Sequence, residues 1–147
     1  MRRMPNPDVH YTFTKAWGIE EGLAPADAAA VAKADLDVDR LWPGSTKFTR
    51  HFNPTALLVW TPVYLLKAVR DGSLESLGRA LHCRQDSVGH GVLGLSHLRW
   101  RFGALNRHPD AWELMSPRAR AAIERDTRRM IRYYVRRAAG RGAPHAT

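Results

Sequence analysis

In the segment LGRALHCRQDSVGHG, His82, Asp86 and His90 stand four residues apart. Four residues at about 100° each return a side chain to nearly the same helix face, so all three would point one way. Imidazole and carboxylate are borderline-to-hard ligands that suit Zn, Mn or Fe, and a carboxylate can bridge two adjacent ions through its two oxygens. The chemistry such a set offers is metal-assisted activation of water. The same spacing would also fit a surface helix in which two histidines flank an aspartate. What favours ligands is the company: Leu77, Ala80, Leu81 and Leu93 make the segment mostly apolar, and polar groups on a buried helix need partners. Gly89, Gly91 and Gly94 would each cost about 1 kcal/mol relative to alanine inside a helix, so they mark either a close backbone approach or a helix end near the site.

The elements that must position this set read as helices throughout. Asn6-Pro7 has the form of a capped start, with His10 in the first helix and Gly22 as its stop. Pro25 opens a second, alanine-rich helix to about Leu41, where Trp42-Pro43-Gly44 must break it; Asp35 and Asp39 lie one turn apart on it. His51 precedes the cap-and-proline start Asn53-Pro54 of a third helix, expected to kink at Pro62 and to end at Asp71-Gly72. Ser73 can cap the helix that carries His82 and Asp86 on to about Gly91. Ser116-Pro117 starts the last long helix, with Ile123, Met130, Ile131, Tyr134 and Ala138 on its apolar face and Arg118, Arg125, Arg129, Arg132 and Arg136 opposite. No segment alternates convincingly as a strand. The expected architecture is a single compact all-α domain over residues 1–140, with a disordered tail over 141–147 that contains His145.

Composition narrows the class. The chain has 147 residues, 44% hydrophobic and 25% charged, values that exclude collagen-like, disordered and disulfide-scaffold readings. Cys83 is the only cysteine, which rules out an intramolecular disulfide and reads as packing, since it lies about 100° from the His82 face. A reducing, cytoplasmic setting is expected, because polar and proline residues follow the basic start where a secretory apolar stretch would stand. The most apolar run, Thr55 to Leu66, is broken by Pro62 and falls short of the roughly 20 residues of a membrane span, so it is expected to be core, with self-association through Leu57 to Leu66 left open. Of the net charge of +9, residues 74–147 contribute +8, from fourteen basic and six acidic side chains. Such a field favours phosphorylated substrates, nucleic acid or anionic lipid as partners.

Taken in order, DVHYTFT around His10, Val38-Asp39 at the end of the second helix, His51-Phe52 and the ALHCRQDSVGH segment resemble the zinc-dependent phospholipase C and single-strand-specific nuclease superfamily. The likeness spans roughly residues 8 to 91, and its HxxxD element is the most specific part. It implies an all-α fold with a zinc cluster that activates water against phosphate esters. Carried onto this chain, it implies Asp39, His51, His82 and Asp86 as ligands of one zinc, Asp86 bridging toward a second zinc held by His10, and His90 at a third. Asp39 and Asp86 would be the catalytic carboxylates, although Asp35 or Asp37 could take the place of Asp39. Asp8 or Asp35 could orient His10 or another ligand. Two features depart from the pattern. Nine residues precede His10, where secreted members use a processed N-terminal tryptophan, and no histidine is followed four residues on by glutamate; His97, His108, Asp110 and Glu113 are only loose substitutes. One or two zinc ions are therefore expected, with Mn or Fe as other candidates.

The resulting expectation is a metal-dependent hydrolase of a phosphate ester. Two other readings stand beside it. One is a biosynthetic enzyme that uses the same metal site for cyclisation, elimination or non-phosphate hydrolysis. The other is a basic helical nucleic-acid-binding protein whose histidines are structural.

Overall fold

The computed structural model describes residues 8–41, 54–89, 112 and 115–139, and all that follows concerns these. The architecture is all-α, with no strand among the described residues. A π-helical turn, Asp8–Phe13, runs directly into α1, Thr14–Glu20. Then come α2, Pro25–Leu41, a second π-helical turn, Ala56–Trp60, leading into α3, Thr61–Asp71, then α4, Leu74–Gly89, and α5, Pro117–Ala139.

The punctuation works as the residue types require. Gly22 and Gly72 end α1 and α3 with φ of 101° and 66°, left-handed values that cost a side-chain-bearing residue about 1–2 kcal/mol. Ser73 and Ser116 cap the helices that follow them: their hydroxyls accept from the backbone N–H of Ser76 and Ala119, each at 3.1 Å. Pro62, expected to kink the third helix, instead follows a π turn. The ring has no N–H to donate, and the backbone widens before it instead of keeping an α register. The Thr61 hydroxyl donates back to the Ala56 carbonyl at 2.9 Å, and the Thr14 hydroxyl does the same to Val9 at 2.9 Å, five residues back in each case. Both π turns thus have the same side-chain strut.

The central helix is α4, which packs against α2, α3 and α5. Burial follows: Leu77, Ala80, Leu81, His82 and Cys83 are all fully enclosed, so Cys83 packs as expected. The main core joins Leu23, Ala28, Val31, Ala68, Val69, Leu77, Leu81, Ile131 and Tyr134. A second cluster holds Val9, Trp17 and Ile123, flanked by Phe13, Trp112 and Met115. Ile123, Ile131 and Tyr134 form the inward face of α5, and the five expected arginines are exposed on the other side.

One expectation needs correcting. The apolar run from Thr55 to Leu66 is not uniformly core, because Ala56, Thr61 and Tyr64 are buried while Leu58, Val59, Val63 and Leu66 are exposed, Leu58 by 71%. A helix with neighbours on one side can bury only one stripe, and here the stripe runs through Ala56, Tyr64 and Ala68. No described helix is long and apolar enough to cross a membrane.

Candidate metal centre

Three elements bring five titratable side chains together. The first π turn supplies His10, α2 supplies Asp35 and Asp39 one turn apart, and α4 supplies His82 and Asp86 one turn apart. The His10 and His82 rings stack with centroids 4.4 Å apart and 29° between their planes. Their edges then face the same two ways.

On one edge lies Asp35. Its Oδ1 is 2.9 Å from His10 Nδ1 and 3.2 Å from His82 Nδ1, so one carboxylate oxygen can accept from both rings. Its Oδ2 lies 3.0 Å from the Thr14 hydroxyl, whose single proton it shares with the Val9 carbonyl. Gln85 adds a second acceptor for His10, with Oε1 2.8 Å from Nδ1, and its amide donates to Thr14 Oγ1 at 2.9 Å and to Thr127 Oγ1 at 3.1 Å. Acceptors on the Nδ1 edge keep a proton there, which leaves Nε2 as the lone-pair nitrogen of each neutral ring.

On the opposite edge lies Asp86, with Oδ1 3.5 Å from His10 Nε2 and Oδ2 3.2 Å from His82 Nε2. Asp39 approaches the same nitrogen of His82, at 3.6 Å. One ligand atom each from His10, Asp39 and His82 lie within 4.8 Å of one another. The Asp35 and His82 side chains are fully enclosed and Asp86 nearly so, whereas that of Asp39 is 30% exposed, which makes Asp39 the open side of the cluster.

Electrostatics explains what the cluster demands. Among the described residues, three buried or half-buried carboxylates adjoin two imidazoles in a low-dielectric setting, which favours the charged form of the rings. Burial alone would push the His82 imidazole pKa down, but Asp86 and Asp39 outweigh it and bring it up to about 10. For His10, burial likewise opposes the charge, and Asp35 above all carries the pKa well above its usual value. The cluster therefore holds protons tightly unless another cation replaces them. Nitrogen and carboxylate donors converging on one volume, with the outer edge of each ring already hydrogen-bonded, are the donor chemistry that divalent Zn, Mn or Fe takes. The residues present fit such an ion.

Of the ligands expected from sequence, His10, Asp39, His82 and Asp86 are brought together. His51 and His90 lie outside the described residues, as do His97, His108, Asp110, Glu113 and His145. Asp37 is not among the residues found against the two rings; it pairs with Lys33. Asp35 is part of it, on the Nδ1 side of the rings, the orienting place that the sequence left open between Asp35 and Asp8. Gln85, Thr14 and Thr127 were not foreseen. Gln85 adjoins Asp86 and Thr14 follows His10 by one turn, which are weak local signals, while nothing around Thr127 marks it.

Several arginines of α5 are held in ion pairs, Arg125 with Asp126 among them. Arg128 pairs with Glu20, Glu21 and Glu124, and Arg132 with Glu21, tying α5 to the end of α1. Arg118, Arg129 and Arg136 remain on the exposed face. Trp112 leans on Phe13 and Trp17 at centroid distances of 4.9 and 6.1 Å, a packing role. Comparisons with protein-family models, with curated proteins and with solved structures find no match to this chain.

Proposed function

We propose that the chain is a metal-dependent hydrolase of a phosphate ester, of the kind its motifs resemble. The observation that carries this reading is the convergence of His10, Asp39 and His82 on one buried volume, bracketed by Asp86. A divalent ion bound there supplies Lewis acidity toward water and a phosphoryl oxygen.

The chain's own groups do the rest. His10 and His82 present Nε2, held in that tautomer by Asp35 and Gln85. Asp86 offers one oxygen toward each ring, which suits either one ion or two neighbouring ions. Asp39, the most exposed carboxylate of the cluster, would accept a proton from the attacking water, a role supported by its 30% exposure beside His82 Nε2. The basic excess of residues 74–147 favours an anionic substrate.

The test begins with metal content by plasma mass spectrometry, on protein purified without chelator or affinity-column metal. About one or two ions of zinc, manganese or iron per chain, lost in a His82→Ala/Asp86→Ala variant, is the expected result. Hydrolysis of phosphodiesters, phosphomonoesters and single-stranded nucleic acid is then measured. Bound metal with clean negatives on all three would overturn the phosphoesterase reading, and absence of metal would overturn the site.

A further inference from the structure

Gly78 stands one turn before His82 on α4 and faces the turn of α2 that carries Asp35. A methyl group placed there would lie 2.5 Å from the Val31 carbonyl oxygen, 2.7 Å from Ala34 Cβ and 2.8 Å from the Asp35 backbone nitrogen. Carbon and oxygen not joined by a bond ordinarily approach to about 3.3–3.6 Å, so any side chain would force the two helices apart by about 1 Å. The obstruction is mostly backbone, which cannot swing aside. At Gly18 and Gly89 the corresponding nearest atoms are side-chain carbons at 3.1 Å.

The consequence falls on one hydrogen bond. His82 Nδ1 and Asp35 Oδ1 are already 3.2 Å apart, the long end of the useful range, so separation by about 1 Å breaks the contact. His10 is better protected, because it sits on a different element at 2.9 Å from Asp35 and has Gln85 as a second acceptor. We infer that Gly78 is a positioning residue: by lacking a side chain it lets α4 approach α2 closely enough for one Asp35 oxygen to accept from both imidazoles and so present both Nε2 atoms together. This rests on the metal-site reading for its functional meaning, but the geometry can be tested without metal.

The experiment is NMR of the imidazole N–H groups in the full chain held metal-free with chelator. Two slowly exchanging, downfield Nδ1 protons are expected in the natural protein. Gly78→Ala should lose the His82 signal and keep that of His10. Gly18→Ala, which crowds α2 near Ala28, two turns from Asp35, should keep both. Adding Asp35→Glu to Gly78→Ala lengthens the acceptor by one carbon and should restore the lost signal. Should Gly78→Ala fail to fold, Ala34→Val widens the same contact from the α2 side and should weaken the same signal. Cobalt affinity in the same proteins should fall at least tenfold in Gly78→Ala and stay within about threefold in Gly18→Ala. Retention of both imidazole signals in Gly78→Ala, or in Ala34→Val where the first does not fold, would overturn the inference. Intact signals in the natural protein without cobalt uptake would overturn the proposed function instead, with Gly78 judged on the imidazole protons alone.

Discussion

The rings of His10 and His82 are stacked at 4.4 Å, one from the turn before α1 and the other from the middle of α4. Asp35 takes the Nδ1 edges of both, and Asp86 faces the Nε2 edges with a separate oxygen for each. Two imidazoles stacked between two carboxylates keep their protons well above the usual imidazole range, because the neighbouring carboxylates favour the charged rings.

Asp35→Asn keeps the shape of the side chain but removes its charge, and its single oxygen must serve two rings while its NH2 meets a donor. Metal affinity should fall about 10- to 100-fold, the usual effect of losing an outer partner of a ligating histidine. Zinc or cobalt titration of the purified protein measures it. An unchanged affinity would show that Asp35 does not orient the rings.

Proton and metal compete for the same nitrogens. Since His82 keeps its proton up to about pH 10 in the metal-free cluster and His10 well above its usual range, coordination at neutral pH must displace protons. Apparent metal affinity should therefore rise with pH, about tenfold per unit for each proton displaced. Titrations between pH 6 and 8 should show this slope, and a flat profile would count against both Nε2 atoms as ligands.

Metal-free stability should run the other way. His82 has a folded pKa of about 10 against an ordinary 6.5. Its contribution is fully present below about pH 6.5 and is lost as pH rises toward 10, because over that interval the folded state holds a proton that the unfolded state releases. Thermal unfolding with chelator present should therefore show Tm declining from pH 6.5 to 10, with a shallower decline in His82→Gln.

Gln85→Leu should destabilise the metal-free protein by about 1–3 kcal/mol, since it leaves the buried Thr14 and Thr127 hydroxyls without their shared amide. Denaturant unfolding of the chelated protein checks this. A change below about 0.5 kcal/mol would mean that water replaces the amide without loss.

The exposed stripe along the second π turn and α3 gives a contrast. Leu58→Gln and Leu66→Gln should change stability by no more than about 0.5 kcal/mol, whereas Tyr64→Ala, at a buried position on the same stretch, should cost several times that. Tm measurements on the three variants decide whether the stripe is surface in solution.

Much of the fold was legible along the chain. Pro25, Gly22, Gly72, Ser73 and Ser116 act where their backbone chemistry says they must, and the 3.6-residue periodicity places Ile123, Ile131 and Tyr134 inward and the arginines outward. Those signals are local. The π turns were not legible, because widening a helix by one residue around Pro62 or before Thr14 leaves its composition unchanged.

The site divides along the same line. Residue type and four-residue spacing determined that His82 and Asp86 share a face, and that Asp35 and Asp39 do, since a helix fixes both relations within one turn. Which aspartate meets the Nε2 edges and which the Nδ1 edges depended on how α2 packs on α4, a distance set where Gly78 meets Val31 and Asp35. The links from His10 to Gln85, and from Gln85 to Thr127, join residues far apart in the chain, and only burial against neighbouring helices brings them into hydrogen-bonding range. Spacing specifies direction around one helix axis, whereas the separation and rotation between axes come from the packing of all the helices at once.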